Sequence, residues 1–277
     1  MQGSAATALV LGAVSRDVEI SDTSESTSRP GGVVSYAGTT LARLGASTRV
    51  VTRVHESDAI VLLNPLEAEG VEVLALPSRA TTRYILDYSG RVDRHQLCET
   101  SDPIRPADVP TAWRSADLVH LGPLHRRDIE PATVSVLRGL IGIDLQGLVR
   151  EPGAVRDIPE MLQHVTVVQV SESELPMILE GAKPESLIGR AGVREAIITR
   201  GERGATVLTR DGTVEIPAHA SQGAHPIGAG DVFLASYLLS RVRGLPPERA
   251  GQAAARVCAA KIDEGQVPKG FDLAPSA

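Results

Sequence analysis

Short apolar runs alternate with stretches of helical spacing along most of the chain. The apolar runs that predict strands cover 6–14, 47–54, 71–76, 116–122, 139–145, 165–170 and 194–200. The helical stretches lie between them at 34–45, 57–70 and 172–181. Strands that are apolar throughout are buried on both faces, so the alternation predicts βαβ units with a mainly parallel sheet. Ligands bind beyond the carboxyl ends of such strands, which gives weight to the residues that follow each run.

Two segments interrupt this alternation. Residues 21–32 are polar and rich in turn formers, and residues 81–99 are predicted to form two strands joined at Ser89-Gly90, with no helix between them. An antiparallel ribbon inside a parallel chain lies outside the core, where it is either a lid over a cleft or a surface hairpin. Arg83 and Arg91 on this ribbon either reach a ligand or are solvated.

The stretch "AHPIGAGDVFLASYLLSRV" (224–242) predicts a buried helix that begins with two glycines and an aspartate. Each glycine lowers helix propensity by about 1 kcal/mol relative to alanine. The N–H groups of a first turn lack helical partners and carry about half a positive charge, so they bind anions such as phosphate. Asp231 is then a candidate base for a group that is being phosphorylated. The alternative is that Asp231 only stabilises the helix dipole and the glycines allow close packing.

Composition narrows the class of protein further. The chain has 277 residues, of which 42% are hydrophobic, 22% charged and 3% aromatic, and its net charge is −6. Few aromatics and a negative charge argue against a nucleic-acid surface. The N-terminal stretch does not resemble a signal peptide and no apolar run approaches ~20 residues, so we expect a cytoplasmic protein without a membrane partner. P-loop, GxGxxG, HExxH and GxSxG motifs are absent.

Several dispersed motifs resemble the ribokinase-like (PfkB) family of sugar, polyol and nucleoside kinases. They are "IGAGDVF" (227–233), "RPGGVVSYAGTTLARLGA" (29–46), "ALVLGAVSRDVEI" (8–20), "VSESEL" (170–175) and "ITRGERGATV" (198–207). The resemblance implies an α/β fold: a three-layer sandwich with a mainly parallel central sheet and a small β lid. It implies a single domain over 1–277, with lid segments at about 15–32 and 78–100. Relatives pair through their lids, so the resemblance also allows a homodimer.

The resemblance also implies roles for particular residues. Asp231 would be the catalytic base, and the N–H groups of Gly228, Ala229 and Gly230 would form the anion hole. Glu174 would help to hold the Mg²⁺ that bridges the phosphates. The residues implied for the substrate are Asp17, Gly31, Gly32, Tyr36 and Asp144. Those implied for ATP are Ser171, Thr199, Gly201, Gly228 and Gly230.

Three of the positions that depart from the family pattern bear on the chemistry of the site. His225 replaces the leading aspartate of the signature, which is a ligand in relatives that use a monovalent cation, so we expect no activation by potassium. Ser171 replaces the asparagine of the NxxE motif. Tyr36 replaces the asparagine of GGxxxN and, with "DPIRPADVP" (102–110) and "DLQGLVR" (144–150), resembles the myo-inositol kinase branch.

The sequence therefore predicts an ATP-dependent kinase that phosphorylates a hydroxyl of a small polyol or sugar, with a myo-inositol-like cyclitol favoured. One alternative is a nucleoside kinase. Another is a non-catalytic relative that binds a ligand without phosphorylating it.

Overall fold

The computed structural model describes residues 5–20, 27–87, 94–150, 158–190, 192–223 and 226–274. Its strands form two sheets of nine and four strands. The strands are β1 (Thr7–Gly12), β2 (Ser15–Ile20), β3 (Thr27–Gly31), β4 (Ser47–Val54), β5 (Glu72–Pro77), β6 (Thr82–Asp87), β7 (Arg94–Glu99), β8 (Ser115–Gly122), β9 (Arg138–Asp144), β10 (Val167–Ser171), β11 (Glu195–Thr199), β12 (Ala205–Thr209) and β13 (Gly212–Ile216). The helices are α1 (Val33–Arg43), α2 (Glu56–Ala68), α3 (Pro131–Ser135), α4 (Gln146–Arg150), α5 (Ile158–Met161), α6 (Leu175–Leu179), α7 (Ala229–Val242) and α8 (Pro247–Glu264).

The larger sheet is parallel except at one edge. Its order is β13-β12-β11-β10-β9-β8-β1-β4-β5, and only β12 and β13 run antiparallel to their neighbours. Each of the seven apolar runs predicted as strands corresponds to one strand of this sheet, and the predicted and observed ends differ by no more than two residues. The prediction of a mainly parallel sheet is confirmed.

The central sheet is buried on both faces between two layers of helices. Along β1, Ala8 and Val10 join a core with α1, α2, α7 and α8, whereas Leu9 and Leu11 join a second core with α3 to α6. All four side chains are at most 1% exposed. Because successive side chains of a strand point to opposite faces, a strand in the middle layer must be apolar throughout. The arrangement is the three-layer sandwich that the sequence predicts.

Three strands of the smaller sheet, β3, β6 and β7, come from the two segments that interrupt the alternation, and the fourth, β2, comes just before the first of these segments. Its order is β3-β2-β6-β7, with β2 antiparallel to β3 and parallel to β6, and β6 antiparallel to β7. The predicted ribbon at 81–99 is confirmed as β6 and β7, while its Ser89-Gly90 turn and Arg91 lie outside the described residues. We refer to β2, β3, β6 and β7 as the second sheet.

The helix predicted at 172–181 is wrong in extent. Only Leu175–Leu179 is helical. The preceding residues form a turn in which the Ser171 N–H and hydroxyl donate to the Glu174 carboxylate, at 3.2 and 2.6 Å. The helix then ends at Glu180, whose φ of 48° is left-handed. The apolar spacing of 172–181 is helical, but hydrogen bonds between side chains and the backbone compete with a helical turn and delay the start of the helix. None of the described helices is long and apolar enough to span a membrane.

Candidate active site

A cavity of about 360 Å³ lies beyond the carboxyl ends of the central strands, between the central sheet and the second sheet. Residues from eight short chain segments line it. They are Ser15, Asp17, Gly32, Tyr36, Tyr84, Leu86, Leu124, Asp144, Gln146, Gly147, Ser171, Glu174, Thr199 and 226–231. The structure thus brings together the predicted site residues except Gly31 and Gly201.

The first turn of α7 forms one wall of this cavity. Gly228 has φ of 77°, in the left-handed region, and a Cβ there would lie 2.4 Å from the Tyr36 ring. The Ala229 N–H donates to the Pro226 carbonyl at 3.0 Å. No hydrogen bond joins the N–H of Gly228 or of Gly230 to another described residue. Two residues that line the cavity at a helix N-terminus thus have N–H groups without a partner among the described residues, and an anion in the cavity would find both these donors and the dipole.

The two glycines of this turn have different reasons to be there. Packing against Tyr36 and the positive φ require Gly228, which fits the close-packing alternative. Gly230 is helical, and a Cβ there would make ordinary contacts of 3.4 Å with Asp144 Oδ2 and 3.6 Å with Gln169 Nε2. No contact among the described residues therefore requires a glycine at 230.

Asp17 lies at the end of the cavity formed by the second sheet. Its carboxylate is 5% exposed and accepts a hydrogen bond of 2.7 Å from the Ser15 hydroxyl. Burial raises the pKa of Asp17, and the Ser15 hydrogen bond and the Arg29 charge oppose this rise in part. Gly31 of β3 pairs with Ser15 of β2 and lies against the Asp17 carboxylate, since a Cβ at 31 would be 2.0 Å from Asp17 Oδ2. Gly31 thus makes room for a carboxylate instead of lining the cavity.

Gly32 and Tyr36 continue this end of the cavity at the start of α1. Gly32 has φ of 85° and would bring a Cβ within 2.4 Å of the Ala13 carbonyl oxygen. The hydroxyl of Tyr84, on the second sheet, donates at 2.5 Å to the carbonyl of Leu124, which follows β8 of the central sheet. Tyr84, Leu86 and Leu124, which sequence reasoning missed, add apolar surface next to the Asp17 carboxylate.

The opposite end of the cavity holds Ser171, Glu174 and Thr199. Glu174 is 6% exposed. The motif "VSESEL" (170–175) contains two acids, Glu172 and Glu174, and the structure distinguishes them. Glu172 is an exposed partner of Arg203, whereas Glu174 lines the cavity. Gly201, with φ of 57°, begins a short 3₁₀ turn outside the cavity.

Asp144 connects this end to α7. Its Oδ1 accepts from the Gln146 N–H at 2.8 Å, and its Oδ2 accepts from Gln169 Nε2 at 2.6 Å. The same Gln169 amide donates to the Gly230 carbonyl at 2.9 Å. Gln169 was not singled out from the sequence, although an amide inside the apolar run "VTVVQV" signals a buried polar contact.

Lys261 of α8 is a second residue that sequence reasoning missed. It is 5% exposed, donates a hydrogen bond to the Ile227 carbonyl, and has its Nζ 5.5 Å from the centre of the Tyr36 ring. Its signal in the sequence is faint: a lysine in "AAARVCAAKID", in a chain with 25 arginines and three lysines.

Other charged candidates lie away from the cavity or outside the described residues. Arg83 pairs with Glu99 on the surface of the second sheet at 3.0 Å, as a solvated arginine would. His225, which bears on the potassium prediction, and the side chain of Arg150 lie outside the described residues.

The acids of the cavity suit a hydrated Mg²⁺ held jointly with phosphates. Among the residues that the structure describes, no group of three or more His, Cys, Asp or Glu side chains could hold a metal by itself. Asp144 and Glu174 nevertheless both line the cavity, and their carboxylate oxygens are hard ligands. Mg²⁺ is commonly bound through one or two carboxylates together with substrate phosphates. The donor set therefore fits this ion.

Comparisons with known proteins agree with this geometry. The sequence model described as "pfkB family carbohydrate kinase" matches residues 3–268. A cytidine kinase from Thermococcus kodakarensis is 26% identical over 255 residues, which cover 87% of this chain and 90% of that protein. An inositol 3-kinase from Arabidopsis thaliana is 26% identical over 261 residues, which cover 86% of this chain and 68% of that protein.

Solved structures share the fold over nearly the whole chain. A pyrophosphate-dependent kinase in the ribokinase family, complexed with a pyrophosphate analog and myo-inositol, aligns with a TM-score of 0.82 at 23% identity, covering 95% of this chain and 97% of that one. Ribokinase from Arabidopsis thaliana, complexed with ribose and ATP, aligns with a TM-score of 0.79 at 15% identity, covering 98% of each chain.

Fold and cavity therefore define a phosphotransferase that acts on a sugar, polyol or nucleoside. The chain belongs to the pfkB family of carbohydrate kinases.

Proposed function

We propose that this protein is an ATP-dependent kinase that phosphorylates a hydroxyl of a small polyol, with a myo-inositol-like cyclitol as the favoured acceptor. One observation carries the proposal. The N-terminal turn of α7 and Asp231 line one cavity together with the buried Asp17 carboxylate, Ser171 and Glu174. An anion site that shares a cavity with these polar groups suits transfer of a phosphoryl group between two ligands.

In the proposed reaction, Asp231 accepts the proton of the attacking hydroxyl while the new O–P bond forms and the bond to the donor's bridging oxygen breaks. The N–H groups of Gly228 and Gly230 stabilise the charge on the transferred group. Ala229 contributes a shared donor, because its N–H also holds the Pro226 carbonyl. Positioning and charge stabilisation supply most of the catalysis in phosphoryl transfer.

The donor would lie along Ser171, Thr199, Gly201, Gly228 and Gly230. Glu174 would hold a hydrated Mg²⁺, with Asp144 nearby. When bound, the ion would supply positive charge that offsets the charge of the phosphates. Among the structural neighbours, the ribokinase that holds ATP favours a nucleotide donor, while the pyrophosphate-dependent kinase makes inorganic pyrophosphate the alternative to test.

The acceptor would lie against Asp17, Gly32, Tyr36 and Asp144, with Gly31 keeping space for the Asp17 carboxylate. A carboxylate accepts two hydroxyl donors, which suits a polyhydroxylated ring. The second sheet would close this pocket as a lid, and the hydrogen bond from Tyr84 to Leu124 would connect it to the segment after β8. The inositol 3-kinase relative favours a cyclitol, and the cytidine kinase relative keeps a nucleoside as the second candidate.

The test is a panel of acceptors, each with ATP and with pyrophosphate in the presence of Mg²⁺, and ³¹P NMR detection of the phosphorylated product. The panel holds myo-inositol and other cyclitols, ribose, fructose, adenosine, cytidine and pseudouridine. Asp231→Asn is the blank, since a general base contributes ~10²–10⁴-fold. A product that forms with the wild type and not with the variant supports the proposal and identifies donor and acceptor. Donor binding without turnover across the panel would instead support a non-catalytic relative.

A further inference from the structure

The ammonium group of Lys261 is buried directly behind the anion-binding turn. Lys261 is 5% exposed and its Nζ donates to the carbonyl of Ile227, the residue that leads into Gly228. The chain has three lysines, and the other two, Lys183 and Lys269, are exposed. Desolvation of a charged group is costly, so a buried ammonium needs compensation from its surroundings.

The groups around this ammonium come from four elements. Asp231 on α7 attracts it, Arg29 on β3 repels it, and the Tyr36 ring of α1 lies 5.5 Å away. On its own helix the neighbour is Cys258, whose thiol donates to the Ala229 carbonyl at 3.3 Å and whose pKa burial raises to about 12, which keeps it neutral. Burial lowers the pKa of Lys261 to about 8, although Cys258 and Asp231 act in the opposite direction. The protonation of Lys261 should therefore respond to negative charge that binds on the other side of the turn.

The hydrogen bond also fixes the direction of a peptide group. The described residues contain no cis peptide bond, and in a trans peptide the C=O and the N–H point in opposite directions. The Ile227 carbonyl points to Lys261, so the N–H of the same peptide group, which belongs to Gly228, points away from Lys261. Gly228 lines the cavity, and its N–H has no partner among the described residues.

We propose that Lys261 is a positioning residue for phosphoryl transfer: it holds the Ile227 carbonyl so that the Gly228 N–H faces the transferred group, and its charge stabilises that group from behind the turn. The inference rests on the proposed function for its kinetic consequence, but binding of a phosphate donor should reveal it without turnover. Negative charge on the donor favours the ammonium, so donor binding should raise the pKa of Lys261 above its value in the free protein.

The variants are Lys261→Met, which removes the charge, Lys261→Arg, which keeps it, and Lys269→Met as the matched exposed control. Loss of one direct donor to an oxyanion typically lowers kcat ~10²–10³-fold, and we expect an indirect contribution of about 10- to 100-fold for Lys261→Met. The acceptor KM should change little. Lys261→Arg should recover part of the loss, and Lys269→Met should behave like the wild type.

The pH profile separates this role from a structural one. Lys261 is charged below its pKa, so wild-type kcat/KM for the donor should be retained below about pH 8 and fall above it. Lys261→Met should lack this alkaline limb. A Lys261→Met variant that keeps kcat within threefold, or that keeps the alkaline limb, would overturn the proposal.

NMR titration of the lysine ¹³Cε signals in the whole protein gives the second readout. With three lysines, the signal that is missing from Lys261→Met identifies residue 261, and Lys261→Arg identifies it if the methionine variant does not fold. The expected result is a midpoint near pH 8 in the wild type and a lower one in Asp231→Asn, which lacks the attracting charge. In both proteins the midpoint should move upward with ATP or pyrophosphate and Mg²⁺. A midpoint that donor leaves unchanged overturns the role of Lys261. Turnover missing for every acceptor, with the midpoint still moving, would refute the kinase function and keep Lys261 as part of a phosphate site.

Discussion

Replacing Gly230 with alanine separates the anion-binding role of the α7 turn from its role in the fold. A Cβ at 230 would meet only Asp144 Oδ2 at 3.4 Å and Gln169 Nε2 at 3.6 Å, both ordinary contacts. The residue is helical, so alanine improves helix propensity by about 1 kcal/mol. For a chain of this size, that corresponds to a rise in Tm of about 2 °C. The expected stability of Gly230→Ala is therefore equal to or above that of the wild type.

Alanine keeps the N–H of residue 230, but we expect its methyl group to hinder a phosphoryl oxygen that approaches this donor. If access is blocked, the cost should be similar to that of removing one donor, typically ~10²–10³-fold in kcat. We therefore expect Gly230→Ala to lose turnover by about 100-fold or more while its Tm is maintained. Gly228→Ala is the contrast, because its positive φ and a Cβ 2.4 Å from the Tyr36 ring should lower Tm as well as activity.

The assay pairs thermal unfolding with steady-state turnover of the acceptor identified in the panel, at saturating donor. Binding of donor to each variant, measured by calorimetry, shows whether the ground state or the transition state is affected. Turnover of Gly230→Ala within threefold of the wild type would refute the anion-hole assignment. A fall in its Tm comparable to that of Gly228→Ala would show that the glycine serves packing after all.

Three further predictions concern other residues of the cavity. Asp17→Ala should raise the acceptor KM about 10- to 100-fold, from hydrogen bonds to a charged group worth about 1.5–3 kcal/mol, with little change in the donor KM; equal losses would indicate misfolding. Burial raises the Asp17 pKa, so as the pH is lowered the carboxylate should become protonated, and acceptor affinity should begin to fall, at a higher pH than for an ordinary aspartate. A pH profile of KM that matches that of Asp17→Asn would contradict this. Activity in KCl and in matched choline chloride should be equal, since His225 replaces an aspartate cation ligand and the Lys261 ammonium already holds the Ile227 carbonyl; strong activation by potassium would show that neither residue prevents cation binding.

Some of this site could be predicted from the sequence because its signals are local. The glycines and Asp231 stand out since glycine is costly at the start of an otherwise apolar helix. Asp144 follows from its place at the end of an apolar strand, since a parallel sheet gathers such ends at one edge. Asp17 and Thr199 follow from the resemblance to the family's motifs.

Other parts depend on contacts that no local pattern contains. Gly31 is needed because strand pairing sets it opposite Ser15, where the carboxylate of Asp17, 14 positions earlier in the chain, lies against it. Lys261 meets Ile227 across 34 positions, through the packing of α8 on α7. The prediction of a helix at 172–181 is too long because apolar residues continue at helical spacing over the whole stretch. The Ser171–Glu174 hydrogen bonds, which form the turn after the strand, exist only in the folded site.

The energetics of the cavity weigh against a protein that binds its ligand without reacting. A binding protein has reason to bury the Asp17 carboxylate, since that group can hold acceptor hydroxyls. It has no comparable reason to keep glycine at 230, where alanine fits the fold and would stabilise the helix. Nor does it need a buried ammonium behind the same turn, at the cost of desolvating a charge. These two unfavourable features meet at the turn that also carries Asp231, and both are accounted for if negative charge develops there during phosphoryl transfer.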